Sequence, residues 1–182
     1  MGAETAILPQ PARADCSEQF RFGMRRLAGA CTIITTHASG KGREGWAGMT
    51  ATAVASVTAE PARLLVCINR STFAHGIIAQ SGVLGVNVLG SDALSLAQRF
   101  AGGVPPGQKF DAGNWIMGAS GAPLLASALA SFDCRVAECI AASTHDIFIC
   151  DVLDVLIRQP GGDPLVYFDG AFMGDHALAP SH

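Results

Sequence analysis

The stretch Gly48-Met49-Thr50-Ala51-Thr52-Ala53-Val54-Ala55-Ser56-Val57-Thr58 has the residue types to hold a flat ligand. At a period of two, one face carries Met49, Ala51, Ala53, Ala55 and Val57, and the other carries Thr50, Thr52, Val54, Ser56 and Thr58. Small side chains let a planar ring approach the main chain, while hydroxyls and peptide N–H groups bond a polar ring edge. A flavin ring asks for this combination, and a small-residue strand packed against its neighbours accounts for it equally well. A second candidate is Ile68-Asn69-Arg70-Ser71-Thr72, where an apolar run gives way to a helix. Arg, Ser and Thr at such a junction hold a phosphate through charge and hydrogen bonds, or simply form a helix cap with a surface arginine.

Other patterns fail on context. Gly40-Lys41-Gly42-Arg43-Glu44-Gly45 fits G-x-G-x-x-G, but the last glycine leads into an alternating run where a dinucleotide fold needs a helix. It reads as a hairpin turn. Gly118-Ala119-Ser120-Gly121-Ala122 lacks the final glycine of a nucleophile elbow and has no strand before it, so Ser120 reads as a turn residue. The five histidines include no metal-spaced pair, and no bound metal is expected.

The elements that must position these residues are mostly strands. Asp15 and Glu18 have capping-box spacing, and Phe20, Met24 and Leu27 follow at helical intervals. From Ala30 the texture is β: Cys31–Thr36, then a turn over Ser39–Glu44, then one long alternating strand over Trp46–Thr58, then Arg63–Asn69. Short helices are expected at Phe73–Gln80 and, capped by Ser91, at Asp92–Phe100, with a strand at Val83–Leu89 between them. Residues 101–123 read as a long loop. Strands follow at Leu129–Ala141, Ile147–Arg158 and Leu165–Phe168. Few helices, not alternating with the strands, favour an antiparallel barrel over a parallel doubly wound sheet. The reading is a single domain over 18–176, after a disordered segment 1–17 and before a flexible tail 177–182.

Composition narrows the partners. Of 182 residues, 49% are hydrophobic and 15% charged, so part of the surface is expected to be covered by a second subunit. A net charge of −3 argues against a nucleic-acid partner, and no apolar run is long enough to span a bilayer. The six cysteines form no C-x-x-C and read as reduced core residues. With no targeting segment visible, a cytoplasmic protein is expected.

Several stretches, in order, carry a resemblance to a known family. They are Phe22–Thr36, Gly48–Thr58, Cys67–Ser71, Gly85–Leu89, Leu96–Gly102, Gly121–Leu125, Phe132–Val136, Thr144–Phe148 and Leu165–Asp169. Together they resemble the short-chain flavin reductases, the reductase components of two-component flavin-dependent monooxygenases. The resemblance implies an FMN-binding split β-barrel with Greek-key connections, assembled as a homodimer with the flavin near the subunit interface. It implies hydride transfer from NADH or NADPH to FMN or FAD, with reduced flavin passing to a separate monooxygenase. Alternatives are a flavin-retaining oxidoreductase acting directly on a substrate such as a corrin, and a non-enzymatic flavin- or haem-binding barrel.

By the same resemblance, flavin contacts map to Thr50, Ala51, Thr52 and Ser56, and to Asn69, Arg70 and Ser71 around the phosphate. Asn87, Arg99 and Phe100 are further candidates, and Tyr167 would line the pocket. His145 matches the family position on the nicotinamide side; taken alone it reads as a strand-end histidine. Three departures stand out. Ser143 and Cys150 replace usual glycines, and Phe172 replaces a usual tyrosine.

Overall fold

The computed structural model describes residues 16–173. The terminal segments 1–15 and 174–182, including the expected tail 177–182, lie outside the described residues. Cys16 and Ser17, expected in the N-terminal segment, are already helical. In chain order the elements are α1 (Cys16–Met24), β1 (Gly29–Ala30), β2 (Thr32–His37), β3 (Trp46–Ala51), β4 (Val54–Ala59) and β5 (Ala62–Asn69). Next come α2 (Phe73–Ser81), β6 (Val83–Val88), α3 (Leu94–Ala101), β7 (Trp115–Met117) and β8 (Pro123–Leu125). The chain closes with β9 (Ala130–Ala142), β10 (His145–Ile157), β11 (Val166–Phe168) and β12 (Ala171–Met173).

Seven strands form one antiparallel sheet in the order β3-β2-β6-β9-β10-β5-β4. Its two end strands, β3 and β4, are consecutive in the chain and joined only by Thr52 and Ala53. The expected single strand Trp46–Thr58 is therefore broken at its middle. Its first half pairs with β2 and its second half with β5, so the two ends of the sheet meet along one bent segment. The faces change with the partners: Val54 packs against the same core as Met49 and Ala51, whereas unbroken alternation places it on the opposite face. The arrangement is mainly β and consistent with a split barrel.

The inward positions build one core: Ile34, Leu64, Val66, Ile68, Leu84, Val86, Cys134, Phe148 and Cys150, with Ile78 of α2 packed among them. Thr72 starts α2 by accepting the His75 N–H at 3.3 Å, and Gly82, at φ 68°, ends it in the left-handed conformation that glycine adopts without strain. The other face of β2 packs on a second core made by Ile33, Leu96, Ala97, Phe100, Phe110 and Leu125. Trp46, Phe100, Phe110 and Trp115 form an aromatic group there, with ring centroids 5.0 to 5.4 Å apart.

That group explains why 101–123 is not the expected loop. Phe110 and Trp115 anchor a 3-10 helix over Pro106–Asp111 and the short β7–β8 pair. The second expected helix also begins later. Ser91 lies in a 3-10 turn, and Ala93 precedes Leu94 without any side-chain cap.

All six cysteines are free, but only Cys31, Cys134 and Cys150 are buried. Cys16 and Cys139 are exposed, against the expectation of six core thiols. Burial pushes the Cys31 thiol up to about 11 and Cys150 to about 12, so both stay protonated and inert at neutral pH. The Gly40–Gly45 segment turns β2 into β3, as a hairpin reading requires.

Candidate functional site

Strand β3 ends the sheet, and among the described residues no strand pairs with its outer edge, which leaves main-chain groups open there. Its hydroxyls divide into two classes. Thr50 Oγ1 donates to the Ala97 carbonyl at 2.6 Å, tying α3 to the strand, while Thr32 Oγ1 donates to the Ala51 carbonyl at 2.7 Å. The hydroxyls of Thr52 and Ser56 take no hydrogen-bond partner among the described residues and remain open to a ligand.

Two cavities flank this wall. One, of about 680 Å³, opens beyond the core of the seven-stranded sheet; Thr52, Val54, Ser56, Val88, Phe132 and Val152 are among its lining. Moving one inward position along each strand from the core leads there: Ile34 to Thr32, Val86 to Val88, Cys134 to Phe132 and Cys150 to Val152. A bulge between Val152 and Asp154 turns Val155 to the same cavity. The other cavity, of about 290 Å³, is bounded by Thr50, Ala51, Thr52, Tyr167 and Phe172. Thr52 belongs to both. The larger volume lies inside the range of about 300–1,000 Å³ typical of small-molecule sites. Its lining of small and apolar side chains, with hydroxyls at one edge, fits a tricyclic ring such as a flavin's.

Asn69, Arg70, Ser71 and His145 form a second group at the other end of β5 and β10. His145 stands opposite Asn69 in register, and the Arg70 N–H donates to the Thr144 carbonyl at 3.0 Å. Asn69 Oδ1 accepts from the Ser71 N–H at 2.9 Å and the Ser71 hydroxyl at 2.8 Å, a turn that fixes the loop into α2. His145 Nδ1 lies 2.9 Å from Thr144 Oγ1.

The Arg70 guanidinium is held by a partner the sequence did not suggest. Its Nε and Nη2 both donate to Asp146 Oδ1, at 2.8 and 2.6 Å, and His75 Nε2 lies 2.7 Å from Asp146 Oδ2. The Arg70 hydrogen bonds first, and His75 second, hold the Asp146 carboxyl below the usual carboxylate range. Asp146 occupies an inward position beside Ile68, next to the buried Phe148. A carboxylate at such a position in an apolar strand demands a cation. That demand was the available signal, masked because the strand was expected to start at Ile147 and starts at His145.

Three candidates are not brought to either group. Asn87 is fully buried, and its side chain bonds within the core: Nδ2 donates to the Ile33 carbonyl, and Oδ1 accepts from the Leu125 N–H and the Ser131 hydroxyl. No atom of it is left for a ligand. Phe100 is 1% exposed inside the aromatic group, and its ring lies 2.7 Å from where a Cβ on Gly48 would stand. It supports the wall from behind. Arg99 donates to the Lys109 and Gln108 carbonyls and fixes the 3-10 turn.

Lys109 was also missed. Its Nζ donates to the Phe100 carbonyl at 3.0 Å and the Gly48 carbonyl at 3.3 Å, and burial lowers its pKa. It brings a cation to the back of β3.

The departures fall in different places. Ser143 sits at φ 56°, a conformation that suits glycine, in the tight turn between β9 and β10. Cys150 is buried in the core of the seven-stranded sheet, whereas Phe172 packs edge-on to Tyr167 at 5.2 Å and borders the smaller cavity. Ser120 is a turn residue bonded to the buried Asp133. Among the described residues no group of three metal-ligating side chains converges, and no helix is long and apolar enough to cross a membrane.

Comparison with known proteins gives a consistent result. The model of the flavin reductase like domain matches residues 24–174. A protein of Stutzerimonas stutzeri named FMN reductase (NADH) RutF is 46% identical over 157 residues, covering 86% of this chain and 87% of that protein. The flavin reductase PheA2 superposes with a TM-score of 0.75 at 31% identity, covering 87% of this chain and 97% of that one. BorF, the flavin reductase component of a bacterial two-component tryptophan halogenase, superposes with a TM-score of 0.76 at 32% identity, with the same shares covered.

Proposed function

Because this chain belongs to the flavin reductase-like family, we propose that it is an NADH-dependent FMN reductase that hands reduced flavin to a separate monooxygenase. The observation that carries this reading is the wall at Thr52, where an open strand edge, two free hydroxyls and two adjoining cavities meet. The flavin ring lies against Thr50–Thr52, with main-chain groups and the Thr52 hydroxyl on its polar edge and Tyr167 and Phe172 beside it. Asn69, Arg70 and Ser71 take its phosphate end and His145 the nicotinamide side; this group adjoins the wall where the Ala53 carbonyl accepts from the Cys67 N–H, two residues before Asn69. NADH, when bound, supplies a hydride from its C4 to the flavin ring. The protein's part is stacking, alignment and exclusion of water.

A second subunit completes the reading. Val57 and Val155 are exposed and line the open cavity, and Leu153, Leu156 and Ile157 of the same strand as Val155 are also exposed, Ile157 retaining 65% of its accessible area. Such a face is covered in a homodimer, which would enclose the flavin.

The test is a spectrophotometric assay of NADH and NADPH oxidation against free FMN and FAD. Saturable NADH oxidation with FMN is expected, with the flavin lost on dialysis. Flavin that survives dialysis and is not released on reduction points to a flavin-retaining oxidoreductase. Absence of NADH oxidation leaves a binding protein.

A further inference from the structure

Helix α1 stands apart from the rest of the chain: none of its nine residues is buried. Phe20 and Met24 in it, and Leu27 just after it, recur at helical spacing as one apolar stripe, with Phe20 63% and Leu27 64% exposed. A helix this short does not persist in water without packing, so the stripe needs an apolar surface to lie on. Its root is nonetheless fixed. The Arg25 carbonyl accepts from the Asp169 N–H at 2.9 Å, Arg25 Nη2 donates to the Asp169 carbonyl at 3.0 Å, and Arg26 Nη1 donates to Asp169 Oδ2 at 3.2 Å. The helix is held at its end in a direction that lays its stripe on nothing among the described residues.

The same chain carries a matching face. Val57 of β4 and Val155 and Ile157 of β10 are exposed, and Val57 and Val155 line the cavity of about 680 Å³. Ala28, Gly29 and Ala30, which follow the helix root, line that cavity too. Arm and face therefore stand at one rim, and a single two-fold contact can lay each copy's stripe on the other copy's face. Covering stripe and face twice over removes on the order of 1,000 Å² of side-chain surface, which reaches what a specific interface needs.

We propose that α1 is an arm exchanged between the two subunits of a homodimer, its stripe lying across the rim formed by Val57, Val155 and Ile157 of the other copy. The proposal rests on the second-subunit reading above and names the element that does the covering. Each cavity is walled by one chain and closed by Phe20 and Met24 of the other, so the site is incomplete in a single copy. A pinned root keeps the arm off its own face, which makes the exchange reciprocal.

The test uses the full chain with its accessible cysteines, Cys16, Cys67 and Cys139, replaced by serine, carrying either Phe20→Cys or Ile157→Cys. Treated with a short bis-maleimide, neither variant alone is expected to give a covalent dimer, whereas their equimolar mixture is expected to link one chain to the other. Melting temperatures are expected to hold, because both side chains are exposed in their own chain. In sedimentation, Phe20→Asp is expected to weaken dimerisation by roughly tenfold or more. A covalent dimer from Phe20→Cys alone would set arm against arm and overturn the exchange. No link in the mixture, or a Phe20→Asp dimer as tight as the wild type, would overturn it while the second-subunit reading stands. A wild type that sediments as a single chain at every concentration removes both.

Discussion

The two ends of the seven-stranded sheet are built on opposite rules. At one end α2 covers the core: Ile78 packs into it, and the Asp146 carboxylate is bonded by Arg70 and His75. At the other end the strands run on past the core, no helix covers their inward side chains, and a cavity of about 680 Å³ lined by Thr32, Val88, Phe132 and Val152 remains. The Asp146 carboxylate is bonded through both its oxygens at one end, while the Thr52 and Ser56 hydroxyls stay free at the other. The difference marks where the fold is tied together and where its interior is left open.

Substitutions at the two ends should separate these roles. Phe148 is 1% exposed at the closed end, and Phe148→Ala should cost about 3–5 kcal/mol in chemical denaturation, with flavin contacts untouched. Phe132→Ala, at the open end, should cost distinctly less because its ring borders the cavity. Equal losses would erase the contrast.

Asp146→Asn should change the acid limb of stability. The Asp146 carboxyl is depressed in the folded chain, so its contribution is present above the unfolded carboxylate pKa of about 3.9 and is lost as pH falls through the lower folded value. The variant should be less stable at neutral pH, and its stability should fall less on acidification. Melting curves recorded from pH 7 to pH 3 check this; parallel curves for the two proteins would contradict it. Ser143→Gly relieves a left-handed serine, and a gain of roughly 0.5–1 kcal/mol in unfolding free energy is expected.

Much of this contrast was legible in the residues. The alternation of Gly48–Thr58 and its small side chains located the wall, and the Gly40–Gly45 turn was correctly separated from a dinucleotide loop. The break at Thr52-Ala53 was not legible, because small and hydroxylated residues fill both faces there; the alternation changes phase at the break, so that Val54 faces the same core as Met49 and Ala51. Asn87 and Phe100 misled for a related reason: a polar or aromatic residue in a matching stretch does not disclose whether its contacts are inside. The Arg70–Asp146–His75 group joins residues from β10, α2 and the segment between β5 and α2, and no local spacing records such a meeting. The aromatic group that organises 101–123 is likewise assembled from distant turns.

The central claim is that the Thr52 wall receives the flavin. Titration of FMN by fluorescence onto the wild type and Thr52→Phe tests it most directly, with melting temperatures measured alongside. The phenyl ring should occupy the space where the two cavities meet, weakening FMN binding by roughly tenfold or more while the melting temperature holds. Equal affinity in both proteins would place the flavin elsewhere and contradict the account.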